Sequence, residues 1–112
     1  MDESALKARA LEAHRTVADL EDELAEIASS TASCPDDEHD AEGSTIGFER
    51  ARVGALLEQA RRAAAELDEA CSRFAAGSYG RCERCGRPIS SERLDALPTT
   101  SRCVDCAVLK AR

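Results

Sequence analysis

The sequence predicts an all-α fold, an antiparallel two-helix coiled-coil hairpin followed by a small C-terminal head organised by four cysteines. Three observations carry that expectation. Apolar residues recur near period 3.5 along two long segments, a stretch of Pro, Gly and clustered acids separates them, and two Cys-x-x-Cys knuckles follow the second segment. With 33% charged residues, two Phe, one Tyr and no Trp in 112 residues, the chain lacks the material for a large globular core, and solvated helices account for the composition.

The first seam runs through Leu6, Ala10, Ala13, Val17, Leu20, Leu24 and Ile27, alternating spacings of four and three. That is the stripe of a helix which buries one narrow face against a partner, so residues 2 to about 31 form one helix. Residues 33–43 break the pattern with Pro35, Gly43 and acids at Asp36, Asp37, Glu38, Asp40 and Glu42, and form the link. The second seam passes through Ile46, Val53, Leu56, Ala60, Ala63, Leu67, Ala70 and Phe74, missing at Glu49, with Ser44 as its N-cap. Two matched helices joined by a short link fold back on each other, each about 40 Å long at 1.5 Å per residue. Residues 1–76 are thus the hairpin, with its tip at 33–43.

Gly77 ends the second helix, and residues 77–112 form the head. Ser90 caps a short helix from Ser91 to Leu97, Pro98 breaks it, and a last helix covers Cys103 to Lys110. Leu94, Leu97, Val104, Val108 and Leu109 are expected to pack this segment. Cys82-Glu-Arg-Cys85 and Cys103-Val-Asp-Cys106 are separated by seventeen residues, a spacing that suits a closed tetrathiolate site for one structural Zn²⁺. Four thiolates leave no open position for a water or substrate, so the metal holds structure and does no chemistry. Cys34 and Cys71 fall about 39 Å apart along the second helix, too far for a disulfide, and are expected to be free thiols.

The net charge of −7 is unevenly spread: residues 1–49 carry −11 and residues 50–112 carry +4. An N-terminal half of that sign repels phosphates, which argues against wrapping duplex DNA. No signal peptide or membrane span is visible, and the protein is read as cytoplasmic, with reduced thiols and no membrane association. No nucleophile–base pair, phosphate loop or open metal site marks an enzyme.

Tyr79-Gly80-Arg81-Cys82-Glu83-Arg84-Cys85-Gly86-Arg87-Pro88-Ile89, then Arg93-Leu94, Leu97-Pro98-Thr99 and Cys103-Val104-Asp105-Cys106, resembles the zinc finger of the DksA/TraR family of transcription factors. The resemblance implies a regulator that binds RNA polymerase without contacting a DNA sequence, inserting its coiled coil into the secondary channel to modulate initiation. Asp37-x-x-Asp40 matches the paired aspartates of the family's tip, and Asp36 and Glu42 complete the acidic set, although Glu42 stands where the family pattern places Ala. Carboxylates there suit a channel leading to Mg²⁺ and basic side chains. Arg81, Arg84, Arg87 and Arg93 are the docking candidates of the head. The effector the resemblance brings is guanosine tetraphosphate, and the position after the last zinc cysteine, basic in alarmone-responsive members, is Ala107 here. A monomer is expected where the two seams satisfy each other; the competing reading is an intermolecular coiled coil, with each helix pairing to another chain.

Two other classes fit parts of the sequence. A nucleic-acid-binding zinc ribbon would place the same four arginines on phosphates, but aromatic residues for base stacking are nearly absent and the chain is acidic. A coiled-coil adaptor between proteins would use zinc as a terminal clamp.

Overall fold

The computed structural model describes residues 1–32 and 40–110, with side chains for 1–29 and 45–109. It is all-α, with α1 at Glu3–Ala32, α2 at Asp40–Ala76, α3 at Ser91–Ala96 and α4 at Val104–Lys110. The extended pairing among the described residues is a single antiparallel bridge between Arg81 and Pro88. The predicted helices are all present. α1 starts behind Asp2, whose carboxylate accepts the Ala5 N–H at 2.7 Å and so caps the first turn.

α2 begins four residues earlier than its predicted cap: Ser44 lies inside the helix, and residues 40–43, expected in the link, are its first turn. An Asp at a helix start is itself a strong cap-type residue and its charge complements the helix dipole, which explains the earlier start despite Gly43. At the other end α2 stops where predicted. Gly77 adopts φ +81, the Ser78 N–H reaches back to the Arg73 carbonyl at 2.9 Å and the Gly77 N–H to that of Phe74 at 3.1 Å, a Schellman arrangement that satisfies the last free carbonyls.

The chain divides into two compact units, Glu12–Ala64 and Met1–Leu11 with Ala65–Arg112. Within Glu12–Ala64 the helices run antiparallel: Glu21 pairs with Arg61 at 2.9 Å, Glu23 lies 3.8 Å from Arg52, and Ile27 and Ile46 line one groove. The α1 seam is as predicted, with Ala13, Val17, Leu20, Leu24 and Ile27 half-buried. The α2 seam is shifted by one residue at two layers. Leu57 and Ala64 are buried, at 4% and 3% exposure, whereas Leu56 and Ala63 face outward. Leu56-Leu57 and Ala63-Ala64 are pairs of identical neighbours, so the sequence offers either phase, and burial of Val53 at 0% exposure selects the one four residues on. Glu49, the predicted gap, is half-buried and directs its carboxylate to Arg52 at 2.7 Å.

In the other unit the head packs differently from expectation. Of the five predicted apolar contacts only Leu94 is buried; Leu97, Val104, Val108 and Leu109 are between 45% and 56% exposed. The core is instead Cys82, Ile89, Leu94 and Cys106, with Met1, Tyr79 and Cys103 packed against it. Cys106 turns inward from α4, and positions two residues either side lie about 200° around a helix, which sends Val104 and Val108 to the opposite face.

The corrected phase makes a direct test. Leu57→Ala should cost about 2–5 kcal/mol of unfolding free energy, as a buried truncation does. Leu56→Ala should cost less than about 1 kcal/mol. Urea unfolding followed by helical circular dichroism compares them; equal losses would contradict the observed seam.

Candidate metal centre

The first knuckle is a tight turn built by backbone hydrogen bonds. The Gly86 N–H donates to the Cys82 carbonyl at 2.9 Å, the Cys82 N–H to the Arg87 carbonyl at 2.9 Å, and the Cys85 N–H points at the Cys82 sulfur at 3.5 Å. Gly86 takes φ +76, a conformation that a side chain would strain, and this lets the chain reverse directly behind Cys85. The second knuckle opens α4: Cys103 precedes the helix, its carbonyl accepts the Ala107 N–H at 2.9 Å, and Cys106 follows on the first turn. Two links join the knuckles. The Glu83 N–H donates to the Ser101 carbonyl at 2.8 Å, and the Glu83 carboxylate pairs with Arg102 at 3.0 Å.

These turns bring together the four predicted ligands, whose sulfurs all lie within 4.8 Å of one another. Tetrahedral Zn²⁺ with Zn–S bonds of about 2.3 Å requires sulfurs about 3.8 Å apart. Cys85 and Cys103 are 3.8 Å apart, so the donor set and its spacing fit the metal. The thiols are electrostatically unequal. Backbone hydrogen bonds, first from Cys103 and then from Cys85, hold the Cys82 thiol down at about 5, whereas burial, reinforced by the surrounding sulfurs, pushes Cys106 up to about 12. Four sulfurs this close resist carrying four negative charges together, and a divalent cation among them relieves that repulsion.

The loop that presents the second knuckle is fastened from several sides. The Tyr79 hydroxyl donates to the Pro98 carbonyl at 2.8 Å while its ring meets Phe74 at a centroid distance of 5.2 Å. Arg73 donates to the Thr99 carbonyl at 3.2 Å. Arg93 donates to the Arg102 carbonyl at 3.0 Å and to the Thr100 hydroxyl at 3.4 Å. Arg93 therefore directs its guanidinium into the head, whereas Arg81, Arg84 and Arg87 are exposed. Sequence reasoning missed Tyr79, Arg73 and Arg102 as organisers of this loop; the one available signal was that Glu83 and Arg102 sit beside opposite knuckles. A polar cavity lies beside the loop, lined by Glu66, Glu69, Arg73, Arg93, Arg102 and Ala107 among others.

Of the predicted tip residues, Asp36 and Asp37 lie outside the described residues. Asp40 and Glu42 are placed by the backbone in the first turn of α2, and their side chains lie outside the described set. Cys34 and His39 are likewise outside it. Cys71 is a half-buried free thiol.

Fold and site define a class: a helical protein whose C-terminal segment is a C4-type zinc finger. Residues 77–108 match the prokaryotic dksA/traR C4-type zinc finger family. The RNA polymerase-binding transcription factor DksA of Haemophilus influenzae is 31% identical over 98 residues, covering 88% of this chain and 61% of that protein. DksA of Caulobacter vibrioides is 42% identical over 45 residues, covering 40% of this chain and 32% of the relative. The structure of transcription factor DksA2 from Pseudomonas aeruginosa shares the fold, with a TM-score of 0.63, 24% identity, and coverage of 98% of this chain and 85% of that one. The zinc-finger segment of the chain, residues 77–108, belongs to the DksA/TraR family. It spans less than two thirds of the length of the curated relatives it matches. Among the described residues no helix is long and apolar enough to cross a membrane.

Arg93→Gln should loosen the loop of residues 98–102 and lower head stability by about 1.5–3 kcal/mol, the range for hydrogen bonds to a charged group. Arg84→Gln, an exposed change, should leave the melt in place. Thermal unfolding of the two variants separates a structural arginine from a surface one; equal melts would contradict this account.

Proposed function

We propose that this chain is a cytoplasmic, monomeric regulator that binds RNA polymerase and modulates transcription initiation from the secondary channel. The observation that carries the reading is 31% identity, spread over 88% of the chain, to a relative named for RNA polymerase binding. Residues 1–76 supply a coiled coil that enters the channel, with the acidic set Asp36, Asp37, Asp40 and Glu42 at its tip. Residues 77–112 supply the head, folded around one structural Zn²⁺ held by Cys82, Cys85, Cys103 and Cys106. Four thiolate ligands complete the coordination of that ion, so its contribution is to fix the head and not to activate a substrate.

The charge distribution supports a division of labour. Carboxylates on the N-terminal half suit a channel that holds Mg²⁺ and basic side chains, since they can join the ion's shell or accept bidentate bonds from arginine. Arg81, Arg84 and Arg87 are the exposed docking candidates, and Arg93 supports them by shaping the loop beneath. Docking on protein explains these arginines without direct recognition of a DNA sequence. Guanosine tetraphosphate is assigned no obligatory role: Ala107 offers no cation, and in the cavity beside it Arg73, Arg93 and Arg102 already donate within the head.

Replacing Asp37 and Asp40 together by Asn keeps size and removes charge. It should abolish the effect on initiation while polymerase affinity stays within about tenfold, or about 1.4 kcal/mol. Competition binding and single-round transcription on the same preparations read the two separately. A double variant that regulates like the parent would overturn the tip mechanism, and selective binding to naked DNA with none to polymerase would favour the zinc-ribbon reading.

A further inference from the structure

Leu56-Leu57 and Ala63-Ala64 give α2 two apolar stripes where a hairpin uses one. Val53, Leu57 and Ala64 fill the stripe turned to α1. Leu56, 39% exposed, and Ala63 form a second stripe about 100° around the helix, with the half-buried Ala60 between the two. Within Glu12–Ala64 this second stripe and Leu20 of α1 line an apolar groove along one side of the helix pair, bordered by Asp19 and Gln59. A narrow stripe serves a single partner helix, whereas a broad apolar face of this kind is the pattern of helices in a bundle of four.

Charge decides what fits the groove. Residues 12–29 of α1 hold six acids against Arg15, a net of −5, and residues 45–64 of α2 hold four arginines against Glu49 and Glu58, a net of +2. We propose that the groove receives a second copy of this chain, two hairpins pairing into a four-helix bundle. A two-fold axis running along the helices lays α1 of each copy over α2 of the other, so acid meets base at both contacts and neighbouring helices stay antiparallel. The axis across the helices lays α1 on α1 and is opposed by like charge. In the favoured arrangement Leu20 and Leu56 of both copies share one layer, and Ala60 and Ala63 beside it let the helix backbones approach. The patch is short, so the dimer is weak, with a dissociation constant on the order of 0.1 mM. This goes beyond the polymerase reading: the single hairpin is the form proposed to enter the channel, and pairing withdraws it.

Sedimentation equilibrium of the zinc-loaded full chain under reducing conditions, from about 10 µM to about 1 mM, tests the pairing. The parent should pass from monomer to dimer. Leu56→Glu, which charges an exposed position, should remain monomeric with its helical circular dichroism intact. Asp19→Lys, at the groove's edge, should raise the dissociation constant by at least about tenfold. Asp22→Lys, the same charge change at an exposed acid that does not line the groove, should leave it within about twofold. A parent still monomeric at about 1 mM, a dimer that Leu56→Glu or Asp19→Lys leaves intact, or equal weakening by the two lysine variants would overturn the pairing while leaving the polymerase reading standing.

Discussion

Two of the four core residues of the head are cysteines whose sulfurs are aimed at a common point. The metal site and the hydrophobic core are therefore the same object. Ile89 and Leu94 alone cannot offset the conformational entropy of ordering some thirty residues, because segments of this size seldom hold together without a metal or disulfides. Structural zinc supplies apparent folding energies of roughly 10–16 kcal/mol in small fingers, which is the scale the head needs. The outward placement of Leu97, Val104, Val108 and Leu109 follows: a head organised by sulfur–metal bonds has no need to bury them.

The Glu12–Ala64 unit is stabilised differently. Two helices facing each other shield only a stripe, and among the described residues there Val53, Leu57 and Ala64 are the ones that become buried. At about 1.5–3 kcal/mol for a Val or Leu and less for Ala, the seam is a modest source of stability. Ion pairs such as Arg61–Glu21 bridge the two helices at the surface, where each adds at most about 1 kcal/mol, and fix register more than they stabilise. The use proposed for this element is to carry charged residues into a channel that a globular domain could not enter.

How much was legible in the sequence depended on whether a residue's role was set locally. The clustering of the four cysteines was legible because knuckle geometry follows from Cys-x-x-Cys spacing, and helix ends at Gly77 and Ser90 because capping is a short-range matter. The α2 phase was not, since Leu56-Leu57 and Ala63-Ala64 give the same periodicity in either frame and only packing against α1 distinguishes them. Ser44 misled because Asp40 is an equally good place to begin a helix. Arg93 looked like its exposed neighbours, and nothing in its local sequence shows that its donors turn inward to Thr100 and Arg102. Tyr79 was read as part of a motif, while its hydroxyl bond to Pro98 spans nineteen positions.

The claim on which the account depends is that metal and head fold as one. Hydrogen exchange measured before and after removal of zinc by a strong chelator under reducing conditions tests it most directly. One zinc per chain should be released, amides of Cys82, Gly86, Ile89 and Ala107 should lose protection together, and amides in the helices of Glu12–Ala64 should keep theirs. Retention of head protection after complete removal of the metal would contradict it.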